Sequence, residues 1–180
     1  CILSVYFHIK NLKENKFTFL PALLLGLATV SRPEGFLLFG LYLFDVTVNL
    51  ICKKELKKNF LRFILSVIIF SIISLPYLIF SHKISGHYFP NTFRGQGGGF
   101  QLIPNFEYLQ ISITYFLKDN IFTGIFYIVS IFYYLSNLKK INGKFKYVNL
   151  IFLWIIVLPL ISAVLIPNWR HHVRYLVPLI

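Results

Sequence analysis

Residues 17–51 read FTFLPALLLGLATVSRPEGFLLFGLYLFDVTVNLI, and this stretch decides the fold class. Two apolar arms, 17–30 and 36–51, flank the break Ser31-Arg32-Pro33-Glu34-Gly35. Pro33 lacks a backbone donor and disfavours helix in the residue before it, and Gly35 permits a turn, so the break separates two helices. Lysines stand before the first arm (Lys10, Lys13, Lys16) and after the second (Lys53, Lys54, Lys57, Lys58). Lysine-rich ends of apolar segments mark the cytoplasmic side of a bilayer, so both ends of this hairpin are expected inside and its tip outside. Each arm offers roughly 21–24 Å of helix at 1.5 Å per residue, less than the roughly 30 Å hydrocarbon core. The tip is therefore expected below the outer surface, where irregular backbone needs protein or water around it.

The same charge pattern extends through the chain. Segments 10–16, 53–62 and 139–146 hold 12 of the 18 cations, and 11 of those 12 are lysine. The remaining six include Arg32, Arg94, Arg170 and Arg174, each among Pro, Gly, Asn or His. Lysine thus marks one face and arginine is kept for the other. Charged residues are only 13% of the chain and mean hydropathy is +0.70, whereas soluble domains carry about 25% charged residues. The +12 net charge does not point to nucleic acid, because the lysines cap apolar spans rather than forming a basic face.

Residues 1–9 read as the end of a span, 60–80 as a full span running outward with Pro76 near its outer end, and 81–105 as a long extracytoplasmic loop. Phe106, Leu109, Ile113, Phe116 and Leu117 share one helical stripe that largely excludes Glu107, Gln110 and Thr114, which predicts an interfacial helix on the outer face. Asn120 can cap a span over 121–138 that returns inside; 147–166 runs out again, and 175–180 begins another. The expected fold is an all-α polytopic transmembrane bundle with about five to six full or partial spans. Because apolar runs stand at Cys1 and Ile180, the chain is expected to be a fragment of a larger protein. Cys1 and Cys52 suggest neither a disulfide nor a metal site. Asp45, alone within an apolar arm, is expected to meet a polar group on a neighbouring helix.

Three polar constellations fall on the expected outer face. In Ser31 to Gly35, Arg32 and Glu34 either neutralise each other across the turn or present Arg32 to an anion with Glu34 orienting it. Residues 86–99 join His87, Tyr88, Asn91 and Arg94 to Gln96 and five glycines. That is either a flexible loop or an anion- and sugar-binding one, since glycines let backbone N–H groups approach an anion. At about 24 residues, 81–104 exceeds ordinary loop length and is expected to act as a lid. Residues 168–175 place Arg170, His171, His172 and Arg174 at a helix entrance beside Trp169 and Tyr175. They form either an aromatic–cationic interfacial belt or a phosphate site suited to the arginine fork. Adjacent histidines diverge on a helix, so no metal site is expected from His171 and His172.

These strings together resemble the GT-C class of integral-membrane glycosyltransferases, which use polyprenyl-phosphate sugars. Residues 25–35, LGLATVSRPEG, look like that class's G-L-A-x-x-[ST]-R-P-E-G segment. Residues 88–93, YFPNTF, are similar to a P-L-P-N-T-[FY] string, and 174–178, RYLVP, to an R-Y-L-x-P string, of the subgroup containing bacterial arabinofuranosyltransferases. The resemblance implies inverting transfer, metal-assisted or metal-independent, on the extracytoplasmic face of a bacterial or archaeal plasma membrane. The donor would be a polyprenyl-phosphate sugar and the acceptor a glycan, lipid or protein. It further implies a catalytic general base N-terminal to this region. Arg32, Arg94, Arg170 and Arg174 would then bind the lipid phosphate, with His171 and His172 hydrogen-bonded to it. Tyr88, Asn91 and Gln96 would contact the sugar, and Glu34 would orient Arg32. A lipid-linked glycan polymerase or ligase, or a transporter or flippase of lipid-linked sugars, is the competing expectation; a transporter should show paired broken helices.

The lysine partition predicts opposite exposure of Ser85 and Asn142. In a background without Cys1 and Cys52, Ser85→Cys should react with an impermeant thiol reagent from outside and Asn142→Cys only from inside. Labelling of both from one side would overturn the topology.

Overall fold

The computed structural model describes residues 1–32, 34–52, 56–88, 106–107, 110, 114, 121–136 and 149–165. Among these residues the chain is helical, without strands. The helices are α1 (Ile2–Glu14), α2 (Leu20–Ser31), α3 (Glu34–Cys52), α4 (Leu56–Ser85), α5 (Ile121–Ser136) and α6 (Asn149–Leu165). The chain divides into two compact units: residues 1–90 with 142–151, and residues 91–141 with 152–180.

Within the first unit, α2 packs against α1, α3 and α4, and α3 also packs on α4. The composition of α2 suits this central position. Ala22, Leu25, Gly26 and Thr29 are buried, and a Cβ built on Gly26 would stand 3.0 Å from Ile73 on α4. Absence of a side chain at Gly26 lets two helix backbones approach, as small residues do between membrane helices. The α3–α4 seam is aromatic. Phe39 stacks on Phe70 at 3.6 Å between ring centroids, and Phe36 meets Phe70 edge-on at 5.6 Å.

The ends of the helices follow local chemistry. Asn15 closes α1 in the left-handed region (φ 51°), which asparagine tolerates better than most residues, and the Lys16 N–H donates to the Asn11 carbonyl at 3.1 Å. Pro21 sits in the first turn of α2, where no intrahelical N–H bond is lost. Arg32 is extended (φ −149°, ψ 129°), as a residue before proline prefers. Its N–H caps α2 on the Ala28 carbonyl at 2.8 Å. Glu34 then opens α3 with a carboxylate in the first turn, favourable to the helix dipole.

Two segments differ from the sequence-based expectation. The lysine segments 10–16 and 53–62 are largely helical: α1 continues to Glu14 and α4 begins at Leu56. Lysine and glutamate are good helix formers, and charge limits burial rather than helicity; Lys10 lies 4.0 Å from Glu14 one turn on. At its other end α4 continues through Ser85, so residues 81–85 of the expected loop are helix, with His82 and Lys83 in the last turn where cations suit the dipole. The Gly-rich remainder of that loop, 89–105, lies outside the described residues, as do Asn120 and most of the expected interfacial helix. Of that helix, positions 106, 107, 110 and 114 are helical, and the Thr114 hydroxyl donates to the Gln110 carbonyl at 2.7 Å.

Among the described residues one helix, Phe60–Ser85, is long and apolar enough to cross a membrane by length and composition. It carries exposed Ile64, Ile68, Ile72, Leu75 and Ile79 at helical spacing along its length. Shorter apolar helices cover Leu20–Ser31, Gly124–Ser136 and Asn149–Leu158. In the second unit, the Tyr127 hydroxyl donates to the Ile155 carbonyl at 2.7 Å and Tyr134 stacks on Phe152 at 4.6 Å, which joins α5 to α6.

Two stretches of backbone approach closely at the turn between α2 and α3. A Cβ on Gly35 would lie 2.7 Å from the Thr29 backbone nitrogen and 2.9 Å from its Cα, neither of which can yield. Gly35→Ala should destabilise the protein by about 1–3 kcal/mol, as over-packing does. Gly40→Ala, with nothing within 4 Å, should be neutral or stabilising by up to about 1 kcal/mol. Thermal unfolding in detergent checks both; equal behaviour of the two variants would refute the close approach.

Candidate functional site

Two polar sites stand at opposite ends of the first unit. The hairpin end carries the residues expected to bind substrate. Arg32 is exposed and its backbone is extended. Glu34 is half-buried; its Oε2 is shielded from solvent and accepts no hydrogen bond. Of the two expectations for this turn, the ion pair between Arg32 and Glu34 is not formed among the described residues. The reason is local. Glu34 is already the first residue of α3 and its carboxylate turns inward, while Arg32 is still extended and outside.

Tyr88 lies at the same end. Beyond the Gly26–Ile73 crossing, α4 runs roughly 18 Å to Ser85, while α2 runs roughly 9 Å to Arg32. Gly86, at φ 71°, turns the chain, and the Ser81 and Ser85 hydroxyls both donate to the His87 carbonyl at 3.1 Å. The exposed Tyr88 ring stacks on His82 at 4.3 Å and 14°. This flat platform is of the kind a sugar face or apolar ring covers. Asn91, Arg94, Gln96, Arg170, His171, His172 and Arg174 lie outside the described residues, so Arg32, Glu34 and Tyr88 are the expected site residues that can be placed.

The other end holds a site that sequence reasoning found only in part. Asp45 is buried at 1% exposure. Its Oδ2 is 2.7 Å from His8 Nε2 on α1, and its Oδ1 accepts from Asn149 Nδ2 on α6 at 2.6 Å. The expectation that Asp45 meets a neighbouring helix is correct, and the partners come from two helices rather than one. A carboxylate accepts on both oxygens, so the His8 hydrogen facing it is the one on Nε2. Tyr42 packs edge-on against the His8 ring at 4.9 Å, and its hydroxyl is 3.0 Å from Ser66 on α4. His8, Asp45, Asn149, Tyr42 and Ser66 thus form a buried polar cluster in which each group has a partner.

Among the described residues no group of three or more His, Cys, Asp or Glu could hold a metal ion. No protein-family model, curated protein or solved structure matches this chain.

Asp45→Ala should leave His8 and Asn149 buried without their acceptor, at about 1–3 kcal/mol for each. Asp45→Asn keeps an oxygen for Asn149 and can donate to His8 in its other tautomer, so it should lose distinctly less. Unfolding midpoints of the two variants in detergent give the order; equal loss would show that shape, not hydrogen bonding, holds the cluster.

Proposed function

We propose that this chain is membrane-embedded machinery of a glycosyltransferase that moves a sugar from a polyprenyl-phosphate donor to a glycan, lipid or protein acceptor on the extracytoplasmic face. The observation that carries the reading is the state of the hairpin turn. A turn whose charges served only to neutralise each other would pair Arg32 with Glu34. Instead Arg32 is exposed and unpaired with Glu34, and a glutamate oxygen is shielded without a donor. Arg32 supplies a planar fork for the donor phosphate. Glu34 cannot bind a phosphate, but it can accept from a donor hydroxyl. Tyr88 offers the sugar a ring face at the same end. The ordered motifs at 25–35, 88–93 and 174–178 support the same reading, and Arg94, Arg170, His171, His172 and Arg174 complete the phosphate site within it.

In this reading α2 and α3 form a hairpin entering from the cytoplasm, α4 crosses completely, and α1, α5 and α6 belong to further spans, about five to six in all. The short apolar helices and the lysines at one end of each support that count. Fixed cations beside the leaving phosphate stabilise the charge that develops there as the glycosidic bond breaks. The general base is assigned to none of these residues.

Lysine is this chain's ordinary cation, so arginine at position 32 points to a need for the fork rather than for charge. Arg32→Lys and Arg174→Lys should each lower transfer from a polyprenyl-phosphate pentose about 10- to 150-fold, the effect of losing one charge-assisted bidentate contact, while insertion is unchanged. Transfer is measured with the full-length protein in membranes. Near-normal rates in both variants would remove the arginines from the site. No transfer from any polyprenyl-phosphate sugar by the unaltered protein would remove the reading itself.

A further inference from the structure

The lysine end of the first unit contains a cleft of about 40 Å³ lined by His8, Asn11, Lys16, Tyr42 and Arg62, with Leu12, Phe17 and Val46 as apolar wall. A buried water needs roughly 10–15 Å³ of such space, so the cleft has room for about three waters or one tetrahedral oxyanion. Its formal charges are both positive, Lys16 and Arg62, and no carboxylate is part of the lining. The Asp45 carboxylate, bonded to the lining residue His8, is engaged by His8 and Asn149, and Glu14 pairs loosely with Lys16 at the surface.

Each cation is positioned differently. Arg62 donates from Nη2 to the Asn15 carbonyl at 3.1 Å, which fixes the guanidinium across the α1–α2 turn. A guanidinium has five N–H donors in a rigid fork, and this bond orients the group at the cleft wall. Lys16 is exposed and 3.6 Å from Glu14, a surface pair worth little, so it can turn toward a ligand at small cost. The floor is rigid: Asp45 holds His8 at Nε2, and Tyr42 closes over the ring. The Asn11 amide and the Thr18 hydroxyl bond each other at 3.1–3.2 Å and brace the rim. Apolar walls around two cations strengthen attraction for an anion beyond what either would give in water.

We propose that this cleft binds one phosphate group, with Arg62 and Lys16 as the charged contacts. The site is distinct from the one at the hairpin end and does not depend on the glycosyltransferase reading. Phosphate here has two sources, the head group of an anionic phospholipid or free phosphate.

The test uses the full chain, with Lys16→Gln, Arg62→Gln and, as a charge-matched control, Lys13→Gln; Lys13 is exposed on the same helix end and outside the cleft lining. In detergent, the thermal midpoint is followed against inorganic phosphate and against chloride at equal ionic strength. In bilayers of phosphatidylcholine with or without phosphatidic acid, lipid retained by the protein is read by native mass spectrometry. A saturable stabilisation by phosphate, weakened about tenfold or more in apparent affinity by Lys16→Gln and Arg62→Gln but not by Lys13→Gln, supports the site with free phosphate as ligand. No response to phosphate, with retention of phosphatidic acid lost in the same two variants, supports it with a lipid head group. Arg62→Gln can loosen the α1–α2 turn, so Lys16→Gln, at an exposed position, decides when the two disagree. Equal loss in Lys13→Gln would show diffuse attraction to a basic surface and overturn the site, as would the absence of binding in both arms.

Discussion

The rest of the first unit depends on one carboxylate. Asp45 is buried in α3, where an unsatisfied acceptor is expensive, and it has hydrogen-bond partners on α1 and at the start of α6. Those two bonds leave the helices little freedom to slide. His8 lies six residues before the end of α1 and Asp45 seven before the end of α3, so the bond sets the two helix ends nearly level. One turn farther along α3, Tyr42 meets Ser66 of α4; one more, Phe39 stacks on Phe70. Polar contact thus passes into aromatic packing along one face of α3. A fully satisfied buried network can specify one register among several that apolar packing alone would allow. That is most useful in a chain whose helices are apolar on nearly every side.

The opposite end is built on the reverse principle. There the backbone approaches closely at Gly26 and Gly35, and the polar groups are left without mutual partners. Tight packing behind a turn holds Arg32 and Glu34 in place without using their hydrogen-bonding capacity. A rigid scaffold with unspent polar groups at its edge is what a binding site needs, because no internal bond must be broken when a ligand arrives. The polar cluster around Asp45 has the opposite character: its groups are occupied by one another, which fits a structural role, and His8 and Tyr42 line a cleft together with Lys16 and Arg62.

Much of this organisation was legible in the sequence, and each part that was not has a physical cause. The break at residues 31–35, the apolar run behind α4 and the need of Asp45 for a partner all follow from local chemistry. The partners of Asp45 were hidden because lysines were taken as helix boundaries. With α1 ending near Lys10, His8 lies almost at the surface and far in depth from Asp45; with α1 ending at Glu14, the two depths match. Helix propensity of Lys and Glu was the competing principle, and it prevailed over charge as a boundary signal. Asn149 was not singled out, because nothing local aims it at Asp45. The pairing of Arg32 with Glu34 failed for a geometric reason: residues on either side of a helix start do not share a face.

The arginine rule reaches further than the hairpin end at which it was drawn. Among the 12 cations of the lysine segments, Arg62 is the exception. If lysine suffices wherever charge alone is required, an arginine among lysines should have directional work to do. It does: Arg62 bridges from α4 to the Asn15 carbonyl at the left-handed turn that ends α1, and it walls the cleft beside His8. A lysine could carry the same charge there, but its single ammonium cannot bond the turn and present further coplanar donors to a ligand at once. Arg62 therefore differs from the lysines around it in having directional work, a bond from α4 to the turn that ends α1.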